Sequence, residues 1–362
     1  MKEKVWLLLP KQEHRYQGLN IVYEDVYTSL VDAGLDPEII ELSRYGDGMF
    51  HRPELNYSRV RYENLPSLLK RDGYFLGVDD FEFLHQLEKV PEAAKVLIWA
   101  QYFRGHKFLF DSYTRLGGYG YLSLRNKLPY ELLPRIIWKR ISSRYVEELR
   151  RHTLIAQSVY TAILLNRVYS LDCLDFVYIP VVESLFRFHE KKERVLFFFG
   201  SRDDTYLGHL SKIISNERKE LGEYEMVSFG SREISEAFSK KVGMRIDHFS
   251  DIDRESLYRL YSGSIFTAAP VFNGNFEMVP IESLMSGTPV LSYMQPFQEV
   301  TGSSSLIGNL VDTREAEFLI NSWIGEDYSK EMKIVNERIL SKMGEKVFSS
   351  KLINYLMRQQ KD

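Results

Sequence analysis

The sequence predicts an α/β protein made of two strand-helix domains, each wrapped around a parallel sheet. Short apolar runs alternate with longer amphipathic segments along the chain, as strands alternate with crossover helices. The pattern restarts near residue 194, where RVLFFFG sets five large apolar residues in a row between a charge and a glycine. The length agrees: 362 residues, at about 150 per domain, make roughly two domains.

In the first half, KVWLLL (4–9) reads as a strand, followed by a polar loop that ends at Gly18. A helix should run from Leu19 to Ala33, with Gly34 stopping it in the left-handed conformation. PEIIEL (37–42), YFLGV (74–78), KVLIWA (95–100), HTLIAQS (152–158) and DFVYIPVV (175–182) read as further strands, with a long helical stretch over 129–150. After RVLFFFG (194–200) come EMVSFG (225–230), GMRIDHF (243–249), SIFTAAP (264–270) and TPVLSY (288–293). Helices fill the gaps, the last spanning 331–358. The charged, aperiodic VVESLFRFHEKKE marks the boundary between the halves, which predicts domains over 1–182 and 183–340. No internal repeat or low-complexity segment is present. Ligands of such sheets sit beyond the carboxyl ends of the strands, so binding residues are expected in strand-to-helix loops of a cleft.

Composition excludes several classes. The 44% hydrophobic and 27% charged residues are ordinary for a folded chain rather than a disordered one. A net charge of −3 removes bulk electrostatic attraction to nucleic acid. Cys173 is the single cysteine, so no intrachain disulfide and no cysteine metal cluster can form. The opening MKEKVWLLLP is too short in its apolar run for a signal peptide, and no stretch nears the roughly 20 apolar residues of a membrane span. The expectation is a soluble, cytoplasmic protein. One local asymmetry stands against the neutral average: residues 104–151 carry 11 Lys/Arg against 4 Asp/Glu. That segment suits an anionic acceptor or a peripheral membrane contact, or else is the solvated face of an internal helix. Its Trp138 and neighbouring isoleucines are the residues such a helix would bury.

The segment richest in chemistry is FNGNFEMVPIESLMSGTPVLSY (272–293). Pro280 suits the first position of a short helix, where its missing N–H costs nothing, and Gly287 followed by Pro289 ends that helix. Free amides and the positive dipole end would suit a diphosphate. Gly274, Asn275, Phe276, Met278 and Val279 lead into the helix and are donor-binding candidates. Glu282, about three residues in, either holds a hydroxyl beyond the phosphates or caps its own helix. A second phosphate candidate is the loop after RVLFFFG, where Gly200 and Ser201 admit a close approach and Arg202 can grip phosphate bidentately. The alternative there is an ordinary turn capped by Asp203 or Asp204. Gly18, at the first loop, is the weakest of the three candidates.

IESLMSGTPVLSY resembles the signature of glycosyltransferase family 4, roughly E-A-M-A-x-G-x-P-V, through Glu282, Ser283, Leu284, Met285, Gly287, Thr288, Pro289 and Val290. DIDRESLYRLYSGSIFTAAP upstream and QEVTG with GNLVD downstream are similar to that family's flanking elements in the same order. So is HTLIAQSVYTAILLNRVYSLDCLDFVYIPVV, and the likeness spans about 150–345.

The resemblance implies a GT-B fold, two Rossmann-like domains whose parallel sheets face a central cleft, with a C-terminal segment (341–362) crossing back to the N-terminal domain. It implies retaining, metal-independent sugar transfer from a nucleotide-diphosphate sugar to an acceptor hydroxyl, with no cofactor. Glu282 inherits the donor ribose. The family's earlier glutamate falls on Gly274, which leaves Glu277 as the nearest carboxylate for the donor sugar. The family's basic pair falls on Ser201 and Tyr206, which leaves Arg202 as the nearby cation. His106, in the loop after the KVLIWAQYF strand, resembles a histidine the family often places near the transferred sugar, the alternative being an ordinary surface-loop residue, and His14 is a candidate of the same kind on the acceptor-side loop with Gly18. Two alternatives accompany this reading: a non-catalytic sugar-nucleotide-binding subunit, and a transferase acting on a nucleic-acid base.

Overall fold

Leu7 and Leu8 point to opposite faces of the first strand, and both are fully buried. Burial on both faces requires helices on each side of the sheet, as parallel sheets demand. A computed structural model describes residues 3–10, 18–43, 55–79, 81–87, 89–90, 96–100, 146–188, 190, 192–200, 207–250, 252–270, 277–293, 297–325 and 327–359. Chain contacts divide them into two units. One holds the described residues up to 100, with 146–182 and 342–359; the other holds 183–341.

The first unit carries β1 (Lys4–Pro10), β2 (Asp36–Ser43), β3 (Tyr57–Arg61), β4 (Tyr74–Val78), β5 (Val96–Ala100), β6 (Thr153–Ala156) and β7 (Cys173–Phe176). They form one parallel sheet in the order β3-β2-β1-β4-β5-β6-β7. The helix Gly18–Asp32 follows β1, and Gly34 takes φ +85° just beyond it. The chain re-enters this unit through helix Glu345–Gln359. Its Phe348 ring packs on Trp99 at 5.7 Å, Ser349 Oγ donates to the Ser29 carbonyl at 2.8 Å, and Tyr355 Oη donates to Asp175 Oδ2 at 2.5 Å. Burial and the Asp175 carboxylate hold the Tyr355 phenol well above its usual pKa, so it stays a donor.

The second unit carries β8 (Arg194–Phe199), β9 (Glu225–Gly230), β10 (Asp247–Phe249), β11 (Ser264–Ala269), β12 (Val290–Ser292) and β13 (Ile307–Asn309), all parallel, in the order β10-β9-β8-β11-β12-β13. One sheet face packs Phe197, Phe199 and Phe266 beneath helices Leu207–Asn216, Arg232–Val242 and Thr313–Gly325. The other packs Leu196, Val227 and Phe229 against helix Arg254–Ser262.

Several expected elements move. The strand expected over 175–182 is Cys173–Phe176; Val177, whose amide still donates to the Ala156 carbonyl at 2.8 Å, and Tyr178, Ile179, Val181 and Val182 are buried past its end, which is why they imitate a strand. The single last helix is two, Ser329–Met343 and Glu345–Gln359, parted at Gly344, which forms a parallel bridge with Val181. The strand expected over 243–249 shortens to Asp247–Phe249, because Gly243 takes φ +62° to end the preceding helix. Strands β3 and β13 were not anticipated as strands. Of the helical stretch expected over 129–150, residues up to 145 lie outside the described ones, and 146–149 are helical.

Candidate functional site: the carboxyl edge of the second sheet

In the second unit the chain runs from β8 outward to β9 and β10, then returns to the other side of β8 as β11. The connections leaving β8 and β11 therefore diverge, one to a helix on each sheet face. A parallel sheet binds its ligands where the strand order reverses in this way.

Phe199 ends β8 and Gly200 follows it, half-buried. The end of β9 lies close beside them. Ser231 N donates to the Phe199 carbonyl at 2.7 Å, and Gly230 takes φ +97° with its α-carbon so near that a β-carbon would stand 2.2 Å from that oxygen. Ser201 and Arg202 lie outside the described residues, as do Gly274, Asn275, Phe276, His106 and His14. Gly18 is the first residue of the helix Gly18–Asp32.

After β11 the chain reaches Glu277, which precedes helix Met278–Met285 in an extended conformation and makes no side-chain capping bond to it. Met278 and Val279 are half-buried, and Val279 packs on the cluster beneath helix Arg254–Ser262. The helix starts two residues earlier than expected, so Pro280 is its third residue rather than its first. The register still fits a proline, because the first four N–H groups of a helix have no intrahelical acceptor. The amides of Met278 and Val279 belong to that same group.

The earlier start moves Glu282 to the fifth helical position, too far along to close a capping box at the third. Its carboxylate is half-buried, and Tyr261 Oη donates to Oε2 at 3.1 Å. Tyr261 is fully buried on helix Arg254–Ser262, with Tyr258 at 6.4 Å and the edge of Phe229 at 6.0 Å. Burial first, and the Glu282 carboxylate second, push this phenol well above its normal pKa, so it stays protonated as a donor.

The helix ends as expected at Gly287, with φ +77°. Buried hydroxyls then tie the turn to the sheet. Ser283 Oγ donates toward Thr267 Oγ1 at 2.8 Å and the Thr288 carbonyl at 3.0 Å, while Thr288 Oγ1 donates to the Tyr261 carbonyl at 2.7 Å. Lys192 Nζ donates to the Gly287 carbonyl at 2.9 Å and to Thr288 Oγ1 at 2.5 Å. Burial draws the Lys192 ammonium down to a pKa of about 7. At the same edge, His209, in the first turn of helix Leu207–Asn216, and Tyr293, just past β12, bring Nδ1 and Oη to 3.4 Å.

Tyr261, Lys192, His209 and Tyr293 escaped the sequence reading. Tyr261 sits at an apolar position of an amphipathic helix, and Lys192 lies in a charged linker; neither context marks a polar contact. The described residues contain no group of three or more His, Cys, Asp and Glu that could hold a metal ion. No described helix is long and apolar enough to cross a membrane.

No protein-family model matches the sequence, and a search of curated proteins finds no match. Solved structures do match. An α-glucosyltransferase in complex with UDP and a 13-mer DNA containing an HMU base superposes with a TM-score of 0.66 at 10% identity, covering 99% of this chain and 100% of that one. Sucrose-phosphate synthase from Thermosynechococcus elongatus gives 0.62 at 15% identity, covering 99% of each chain. An α,α-trehalose 6-phosphate synthase from Burkholderia multivorans gives 0.65 at 9% identity, again covering 99% of each. The chain is similar to these in fold, and that fold is GT-B.

Proposed function

We propose that this chain is a retaining, metal-independent glycosyltransferase of the cytoplasm that moves a sugar from a nucleotide-diphosphate sugar to an acceptor hydroxyl. The observation that supports it best is the helix Met278–Met285 at the reversal of strand order, with Glu282 one turn in and held by Tyr261 rather than spent on capping. On this reading the diphosphate meets the amides of Met278 and Val279, and Glu282 accepts from the ribose hydroxyls. Arg202 adds positive charge against the leaving diphosphate, where fixed cations are worth several kcal/mol in the transition state. Glu277 offers its carboxylate to the donor sugar. The acceptor oxygen attacks on the face that the diphosphate leaves, which retains the anomeric configuration. The fold shared with three sugar-acting enzymes supports this reading too.

A second reading, transfer to a nucleic-acid base, draws on the basic 104–151 segment and on the DNA complex of one structural neighbour. Salt-dependent DNA binding would favour it, and absence of binding would end it. A third, a binding subunit without chemistry, draws on Gly274 and on Ser201 and Tyr206 standing where the family has its basic pair.

The first test is thermal unfolding with UDP, GDP and ADP. A nucleotide at 100 times its Kd adds about 2.7 kcal/mol of stability. A rise in Tm with one of them is expected, and no rise with any would overturn the proposal. Release of that nucleotide from its sugar donor, lost in Arg202→Ala, would exclude the binding-only reading.

A further inference from the structure

We propose that Tyr261 is a positioning residue for the donor site: its buried phenol fixes the carboxylate of Glu282, and through it the preference for a ribonucleotide over one lacking ribose hydroxyls. The inference rests on the donor-site reading above and adds a residue that touches no ligand.

The geometry makes Tyr261 an unusually constrained donor. Its ring is fully buried, with Tyr258 on one side and the edge of Phe229 on another. Its backbone is tied as well, since the Tyr261 carbonyl accepts from Thr288 Oγ1 at 2.7 Å, and Lys192 Nζ donates to that same hydroxyl oxygen at 2.5 Å. Tyr261 thus meets the site helix twice, at Glu282 in its second turn and at Thr288 just past its end. A glutamate has three rotatable bonds and would otherwise lose their freedom when a ligand binds. With Oε2 held at 3.1 Å by a phenol that cannot move, that loss is met in folding instead. A phenol is also the apt donor chemically. It orients a carboxylate without itself bringing a positive charge that would compete with a ligand hydroxyl. A lysine or arginine at this place would compete with the ligand for it.

Tyr261→Phe keeps the ring and removes one oxygen. The experiment is isothermal titration of wild type, Tyr261→Phe and Glu282→Gln with UDP, GDP and ADP and with the 2′,3′-dideoxy form of each. Wild type is expected to favour the ribonucleotide about tenfold or more, the worth of a charge-assisted hydrogen bond. Tyr261→Phe should lose most of that ratio by weakening the ribonucleotide alone, with dideoxynucleotide affinity unchanged. With the sugar donor, KM should rise while kcat holds, and adding Tyr261→Phe to Glu282→Gln should change the ratio no further. A purely structural role would lower Tm and leave the ratio intact. Should Tyr261→Phe not fold, Glu282→Asp draws the carboxylate back from Oη by one methylene and should lose the ratio too; its retention there would overturn the inference. A wild-type ratio in Tyr261→Phe, together with its loss in Glu282→Gln, overturns the inference and leaves the donor site standing. Wild type binding none of the three nucleotides overturns both.

Discussion

Lys192 Nζ lies 2.5 Å from Thr288 Oγ1, which places a lysine amine against the turn that ends the Glu282 helix. Burial lowers its pKa to about 7, below the roughly 10.4 of an unfolded chain. Between those values the unfolded chain holds a proton that the folded chain has released, so the contribution of Lys192 to stability grows as pH rises. Relative to Lys192→Met, wild type should gain up to about 1.4 kcal/mol per pH unit from pH 7 toward pH 10. Urea unfolding of both proteins at four pH values measures it, and a difference independent of pH would contradict the assigned burial.

Gly230 and Gly287 both have positive φ, +97° and +77°, yet their surroundings differ. A β-carbon at Gly230 would stand 2.2 Å from the Phe199 carbonyl oxygen, whereas nothing lies within 4 Å at Gly287. Gly287→Ala should therefore cost only the strain of the left-handed conformation, about 1 kcal/mol. Gly230→Ala adds a backbone clash and should cost about 3 kcal/mol or more. Equal losses in chemical denaturation would show that the strand ends move apart more easily than this packing suggests.

Tyr355→Phe removes the 2.5 Å bond to Asp175 by which helix Glu345–Gln359 is held in the first unit. The loss should be about 1–2 kcal/mol, since Asp175 keeps some access to water. Hydrogen exchange should quicken along that helix before it quickens in β1.

Glu277 stands just before the helix in an extended conformation without capping it, and Glu277→Gln keeps the shape of that side chain while removing its charge. If Glu277 serves the donor sugar, the variant should lower kcat by a factor of about 10² or more while nucleotide affinity holds. Unchanged turnover would remove Glu277 from the reaction.

Much of this was legible in advance, for reasons that differ by element. Strands β4 and β5 are buried at every position on both faces, so YFLGV and VLIWA appear as continuous apolar runs. Strand β3 is an edge strand, YSRVR, with no buried position, and its pattern is that of a loop. Strand β13 has three residues, too few for any period to register. The helix that carries Glu282 is legible because its stop at Gly287 lies within the same local motif. The true depth of Glu282 in that helix was misjudged because Pro280 is acceptable at any of the first positions.

The sequence by itself determined the two strand-helix halves and the helix that bears Glu282, because apolar periodicity and the proline and glycine rules act within a few residues. Only the tertiary structure decided that Tyr261 meets Glu282, that Lys192 reaches Thr288 across 96 positions, and that Gly230 must lack a side chain. Those facts come from how strands order themselves in a sheet and which helices then share a face. A hydrogen bond or a close approach between distant segments leaves no periodicity in either one.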